Sequence, residues 1–147
     1  MISPSSSLLL LAFLLPAADP KDDAKKDLEK MQGTWKVEKL VRDGTDLPAE
    51  IRDKMSIVIE KNKMTVKTPD RAEVAEITLD PSAKPAHLDF TPTADNANGN
   101  KPRHGLYKFD GDTLYLCWTR EGGDRPKEFE SKPQSMVVVF ELKKEKK

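Results

Sequence analysis

From Gly33 onward the chain alternates. Trp35 and Val37 fall on one side and Thr34, Lys36 and Glu38 on the other, the period of two expected of a half-buried strand running to about Arg42. The same alternation returns in SIVIE (56–60), KMTVKT (63–68), EVAEITL (73–79), HLDFT (87–91), GLYKF (105–109), TLYLCWT (113–119) and MVVVFEL (136–142). Turn residues separate these runs: Asp43-Gly44, Lys61-Asn62, Asp80-Pro81, Pro92 and Asp110-Gly111-Asp112, the last being the strongest hairpin signal. Eight short strands with no long helix between them predict an all-β, antiparallel, up-and-down sheet. A flat sheet would leave two edges open, and closure into an eight-stranded barrel removes both; an open sandwich is the alternative.

Two stretches break the alternation. KDDAKKDLEKMQ (21–32) sets Ala24, Leu28 and Met31 at i, i+4 and i+7, a narrow apolar stripe on a charged helix that Asp22 or Asp23 caps and Gly33 ends. A stripe that thin must lie on something larger. LPAEIRDKM (47–55) repeats the helical spacing at Leu47, Ile51 and Met55, with Pro48 in a tolerated first-turn position, for one or two turns.

Residues 1–18 differ from the rest. Leu8 to Leu15 is an unbroken apolar run, Pro16-Ala17-Ala18 follows, and charge begins at Asp19. The pattern is that of a secretory signal peptide, and the run is shorter than the roughly 20 apolar residues of a membrane span. No Cys follows it to carry a lipid anchor. The expectation is export to the periplasm, cell envelope or extracellular space, with residues 19–147 as one barrel domain and no membrane span once the leader is removed.

Composition then narrows the function classes. The 25 basic and 25 acidic side chains all lie after residue 18 and leave no dominant sign, which argues against nucleic acid or an anionic membrane as partner. The single Cys117, among the apolar YLCW, excludes an intrachain disulfide and reads as a buried, inert thiol in preference to a nucleophile.

In order along the chain, LEKMQGTWKVEKLVRDG, LPAEIRDK, ITLDPSAKPAHLDFTPT, GLYKFDGDTLYLCW and RPKEFESKP resemble an uncharacterised lipocalin-like domain family of exported planctomycete proteins, over about residues 28–143. The resemblance implies a lipocalin-like barrel whose floor is sealed by Trp35 beneath the leading helix, and it implies no activity. Lipocalins set an Arg near the chain end across that Trp. Here only lysines follow the last strand, so Arg120 or Arg125 is the expected cation.

Reactive chemistry is sparse. Two histidines and one cysteine argue against a His/Cys zinc site, and no cofactor is implied. His87 and Asp89 share a strand face without a placed nucleophile, so alternating surface polarity is preferred to catalysis and the chain reads as non-enzymatic, with a hydrolase a distant third class. ADNANGNKPRHG (94–105) fails as a calcium loop: aligning Gly99 on the obligatory glycine puts Ala94 and Gly105 where acidic ligands belong. At the loop EGGDRPKEF (121–129), Arg125 within it and Arg120 just before it either clamp a ligand carboxylate or, preferred, pair with Glu121, Asp124 and Glu128.

The barrel interior remains. Alternation points Trp35, Val37, Ile57, Ile59, Met64, Val66, Leu88, Phe90, Leu114, Leu116 and Trp118 inward. A filled core and a pocket for one small apolar ligand are close rivals. The first expectation is a small apolar ligand held by Met64, Phe90, Tyr107 and Trp118, with the charged loops giving selectivity. The second is a solid barrel that meets an envelope protein or glycan through Arg120, Arg125 and nearby loops.

Overall fold

The alternating segments form the strands they predict, and the first meets the last. A computed structural model describes residues 20–93, 101–120 and 123–145. Residues 1–18, expected to be a leader, most of the 94–105 loop, and Glu121 lie outside the described residues. Helix α1 (Pro20–Met31) precedes β1 (Gly33–Arg42), β2 (Thr45–Asp46), α2 (Ala49–Arg52), β3 (Ser56–Glu60), β4 (Lys63–Lys67), β5 (Ala72–Asp80), β6 (His87–Pro92), β7 (Arg103–Asp110), β8 (Thr113–Thr119) and β9 (Val137–Lys144). Each strand from β3 to β8 pairs antiparallel with the next, β1 pairs with both β3 and β9, and an eight-stranded barrel closes. The two-residue β2 is an addition to the predicted set: it folds back on the end of β1 through Val41↔Asp46 and Arg42↔Thr45. No helix among the described residues is long and apolar enough to cross a membrane.

Closure fixes which face of every strand is inside. The side chains that alternation points inward are all buried, and Leu40, Ala75, Ile77, Tyr107, Val138, Phe140 and Leu142 complete the cluster with Met31. Leu40 arrives there through a bulge. Strict alternation from Trp35 and Val37 would carry Lys39 inward, but the β1–β9 register shifts between Val37 and Lys39, which turns Leu40 to the core and Lys39 outward.

β1 pairs with β3 only up to Lys36↔Ser56, and the gap beyond is filled by the segment carrying α2. Arg52 Nη1 donates to Glu38 O (2.6 Å), Leu47 N to Leu40 O (2.8 Å), and Leu47 and Met55 pack on the core.

At the floor, the Trp35 indole is 3 % exposed and its Nε1 donates to Met31 O at 2.7 Å, tying helix to strand. The cation over the ring is Lys144 from the end of β9, its Nζ 5.5 Å from the centroid. Neither Arg120 nor Arg125 supplies it. Register is the reason: Trp35 and Lys144 are direct cross-strand neighbours, while both arginines are engaged elsewhere. Tyr107 Oη donates to Asp27 Oδ2 at 2.7 Å, and Gln32 bridges to the β3–β4 turn by accepting from Lys61 N and donating to Lys61 O. Burial first, then the Asp27 hydrogen bond and charge, pushes the Tyr107 hydroxyl far above its ordinary range, so it remains a neutral donor.

Candidate functional site

Hydrophobic strands that close on themselves leave two places for binding: the interior and the outer wall. Inside, Met64 and Phe90 are fully buried, Tyr107 is 2 % exposed and Trp118 4 %. Phe90 stacks on Trp118 (centroids 5.6 Å apart, planes 11° apart), and Trp118 in turn lies 4.9 Å from Phe140. These rings touch one another, and burial of such faces contributes strongly to cohesion. Tyr107 belongs to the floor, beside α1, so the four predicted contact residues do not share one chamber end.

The end away from α1 holds a pair that periodicity alone did not single out. Glu73 and Arg103 point inward from β5 and β7, in phase with Ala75, Ile77 and Tyr107. Arg103 Nη2 stands 2.8 Å from Glu73 Oε1, and its guanidinium lies 5.3 Å from the Phe90 centroid. That oxygen is inaccessible and accepts no well-aimed hydrogen bond, so charge and proximity hold the pair. A charge in step with an apolar face was the signal available in EVAEITL and RHGLYKF.

The two loop arginines are indeed paired, with different partners from those expected. Arg120 Nη2 bonds Asp43 Oδ2, in the turn after β1. Arg125 Nη2 donates to Asp89 Oδ1 and its Nη1 to Gly105 O, both at 2.7 Å. Asp124 acts through its backbone, its carbonyl accepting from Thr119 Oγ1. The histidine beside Asp89 is His104, directly opposite in the β6–β7 register with Nδ1 3.0 Å from Oδ1; His87 faces Leu106 in the same ladder. Burial would raise the Asp89 carboxyl, but hydrogen bonds from His104 and Arg125 and their charges outweigh it and hold it below the ordinary carboxylate range.

Outside, the wall is unusually apolar on β7, β8 and β9. Leu106, Cys117 and Val137 face outward and are buried under residues 123–136, with Phe129 and Val139 packed beside them. Cys117 is the buried thiol its neighbours predict, and burial pushes it up to about 12. Sequence carried this second layer in the unbroken runs LCW and VVVF, since a strand apolar on both faces is covered on both.

The cover ends short of the next strand. Beyond Phe129, Glu130 and Ser131 lies a groove of about 300 Å³, also lined by Val41, Val139, Tyr115, Lys39, Lys108 and Glu141. Ladder pairing sets Lys39, Glu141, Tyr115 and Lys108 side by side across β1, β9, β8 and β7. Lys108 Nζ sits 4.7 Å from the centroids of both Tyr115 and Phe129, which fixes one wall. A second groove of similar volume, on the outer face of β3, β4 and β5 at Val58, Thr65 and Val74, is more polar. No cluster of His, Cys, Asp and Glu among the described residues has the arrangement of a metal site. Comparison of the chain with family models, with curated proteins and with solved structures gives no match.

Proposed function

We propose that the chain is a non-enzymatic, exported barrel of lipocalin-like kind that binds on its outer wall, with the interior serving as a solid support. The single observation that carries this reading is the contrast in packing. Met64, Phe90, Tyr107 and Trp118 are at most 4 % exposed, while a groove of about 300 Å³ with an apolar floor and charged rim stands open beside Phe129. A concave apolar site with a few polar groups is the ordinary form of a binding site. Its occupant would be a short apolar or aromatic group with polar ends, carried by an envelope protein or glycan. Arg120 and Arg125 contribute by anchoring the segment that walls the groove, not by clamping the ligand.

The competing reading, a small apolar ligand inside the barrel, requires the Phe90–Trp118–Phe140 stack to part. Side-chain NMR titrations with short apolar peptides, oligosaccharides and fatty acids distinguish the two. Shifts centred on Val41, Tyr115, Phe129 and Val139 are expected; shifts centred on Phe90 and Trp118, with quenched tryptophan emission under fatty acid, would overturn the proposal.

A further inference from the structure

Residues 123–136 cross the outer wall as a strap without helix or strand. Its two ends are held differently. The later part is woven into the turn after β1: Ser131 Oγ donates to Val137 O and accepts from Gly44 N, and Met136 N donates to Asp43 Oδ1. The earlier part rests on Arg125, which reaches Asp89 Oδ1 and Gly105 O, and on the Thr119 Oγ1 bond to Asp124 O. After that come the packing of Phe129 on the Leu106–Cys117–Val137 cluster, its contact with Lys108, a long Cys117 Sγ to Glu128 O contact of 3.7 Å, and the Glu130 backbone beside the thiol.

We propose that residues 123–130 form a latched cover, with the Arg125–Asp89 pair as the latch, and that its release uncovers the Leu106–Cys117–Val137 wall while the barrel stays closed. The reason lies in where cohesion resides. Every barrel strand is hydrogen-bonded to two neighbours, and none of those ladders runs through the strap. Segments with few buried contacts and no ladder open at a fraction of the global cost. His104 supports the latch from the opposite strand by sharing the same Asp89 oxygen. Release would extend the apolar floor of Val41 and Val139 across β9 and β8, because Val139 and Cys117 are direct ladder partners. The latch is thus a control on how much apolar surface the outer wall presents, whatever the groove takes.

The only cysteine in the chain is a built-in reporter. A buried thiol pushed up to about 12 reacts when the cover lifts and its acidity returns to normal. The full-length protein is treated with an aromatic disulfide reagent at pH 8, in urea concentrations below the unfolding transition. The expected result is a labelling rate almost independent of urea, because opening the cover exposes little surface. Asp89→Asn and Arg125→Gln should each raise that rate at least about tenfold, since both remove the charge-assisted hydrogen bond between the two residues, with the urea midpoint of tryptophan emission nearly unchanged. Labelling that follows urea with the full slope of global unfolding overturns the proposal. So do variants whose acceleration matches their loss of global stability. Should one variant fail to fold, the other carries the same comparison, and amide exchange at 125–130 against β8 reads the same opening without a thiol.

Discussion

Trp118 and Cys117 are neighbours in the chain, and both are buried, yet they belong to different structures. Trp118 points inward, stacked on Phe90 and packed on Phe140, in a cluster to which all eight barrel strands contribute. Cys117 points outward under a strap, in a cluster with Leu106 and Val137 alone as buried companions. Burial by itself does not measure how firmly a side chain is held. Around Trp118, exposing one side chain means breaking ladders; over Cys117, it means releasing an arginine and lifting a phenylalanine.

Four measurements test that difference. The largest effect is expected for Trp35→Ala, which removes the floor plug and its bond to Met31 O and should cost about 4 kcal/mol in urea denaturation. Gly105→Ala should follow at about 2 kcal/mol, since a Cβ there would sit 2.2 Å from Cys117 O and the β7–β8 ladder must shift. That variant strikes both faces at once, lowering the denaturation midpoint and speeding Cys117 labelling together. Phe129→Ala should cost roughly 1 kcal/mol, as expected for a side chain only half-buried, while accelerating thiol labelling out of proportion. Equal costs for Trp35→Ala and Phe129→Ala would break the comparison.

Acid gives the smallest and most selective effect. The folded Asp89 carboxyl lies below its ordinary value, so its contribution is complete above the unfolded value of about 3.9 and is lost as pH falls through the lower, folded one. The side chain is 40 % exposed, so solvent screens the pairs and the loss is modest. Amide exchange of residues 125–130 should therefore accelerate below pH 4 before that of β8 does. Simultaneous loss of protection in both would place strap and barrel in one cooperative unit.

Much of this was legible in the order of residues. Alternation located the eight barrel strands and the inward set from Trp35 to Trp118, and the stripe Ala24, Leu28 and Met31 located α1. The errors have a common origin. Leu40 was lost to a bulge that one strand cannot announce, and Lys144 was passed over for two arginines because nearness to Trp35 comes through the β1–β9 register. His87 does share its strand face with Asp89, but the contact with His104 comes only through a pairing across β6 and β7. The groove was missed because Val41 and Val139 read as ordinary strand residues until a strap is known to stop beside them.

The sequence by itself determined the elements other than the two-residue β2 and, apart from the bulge, their faces, because side-chain alternation and turn chemistry are local properties of a few consecutive residues. Only the tertiary structure decided that β1 meets β9, which cation caps the indole, which carboxylate holds Arg125, and that a groove opens on the outer wall beside Phe129. Those outcomes join residues up to a hundred or more positions apart, as Trp35 and Lys144 are. They depend on register between strands, and any one strand carries only its own half of that information.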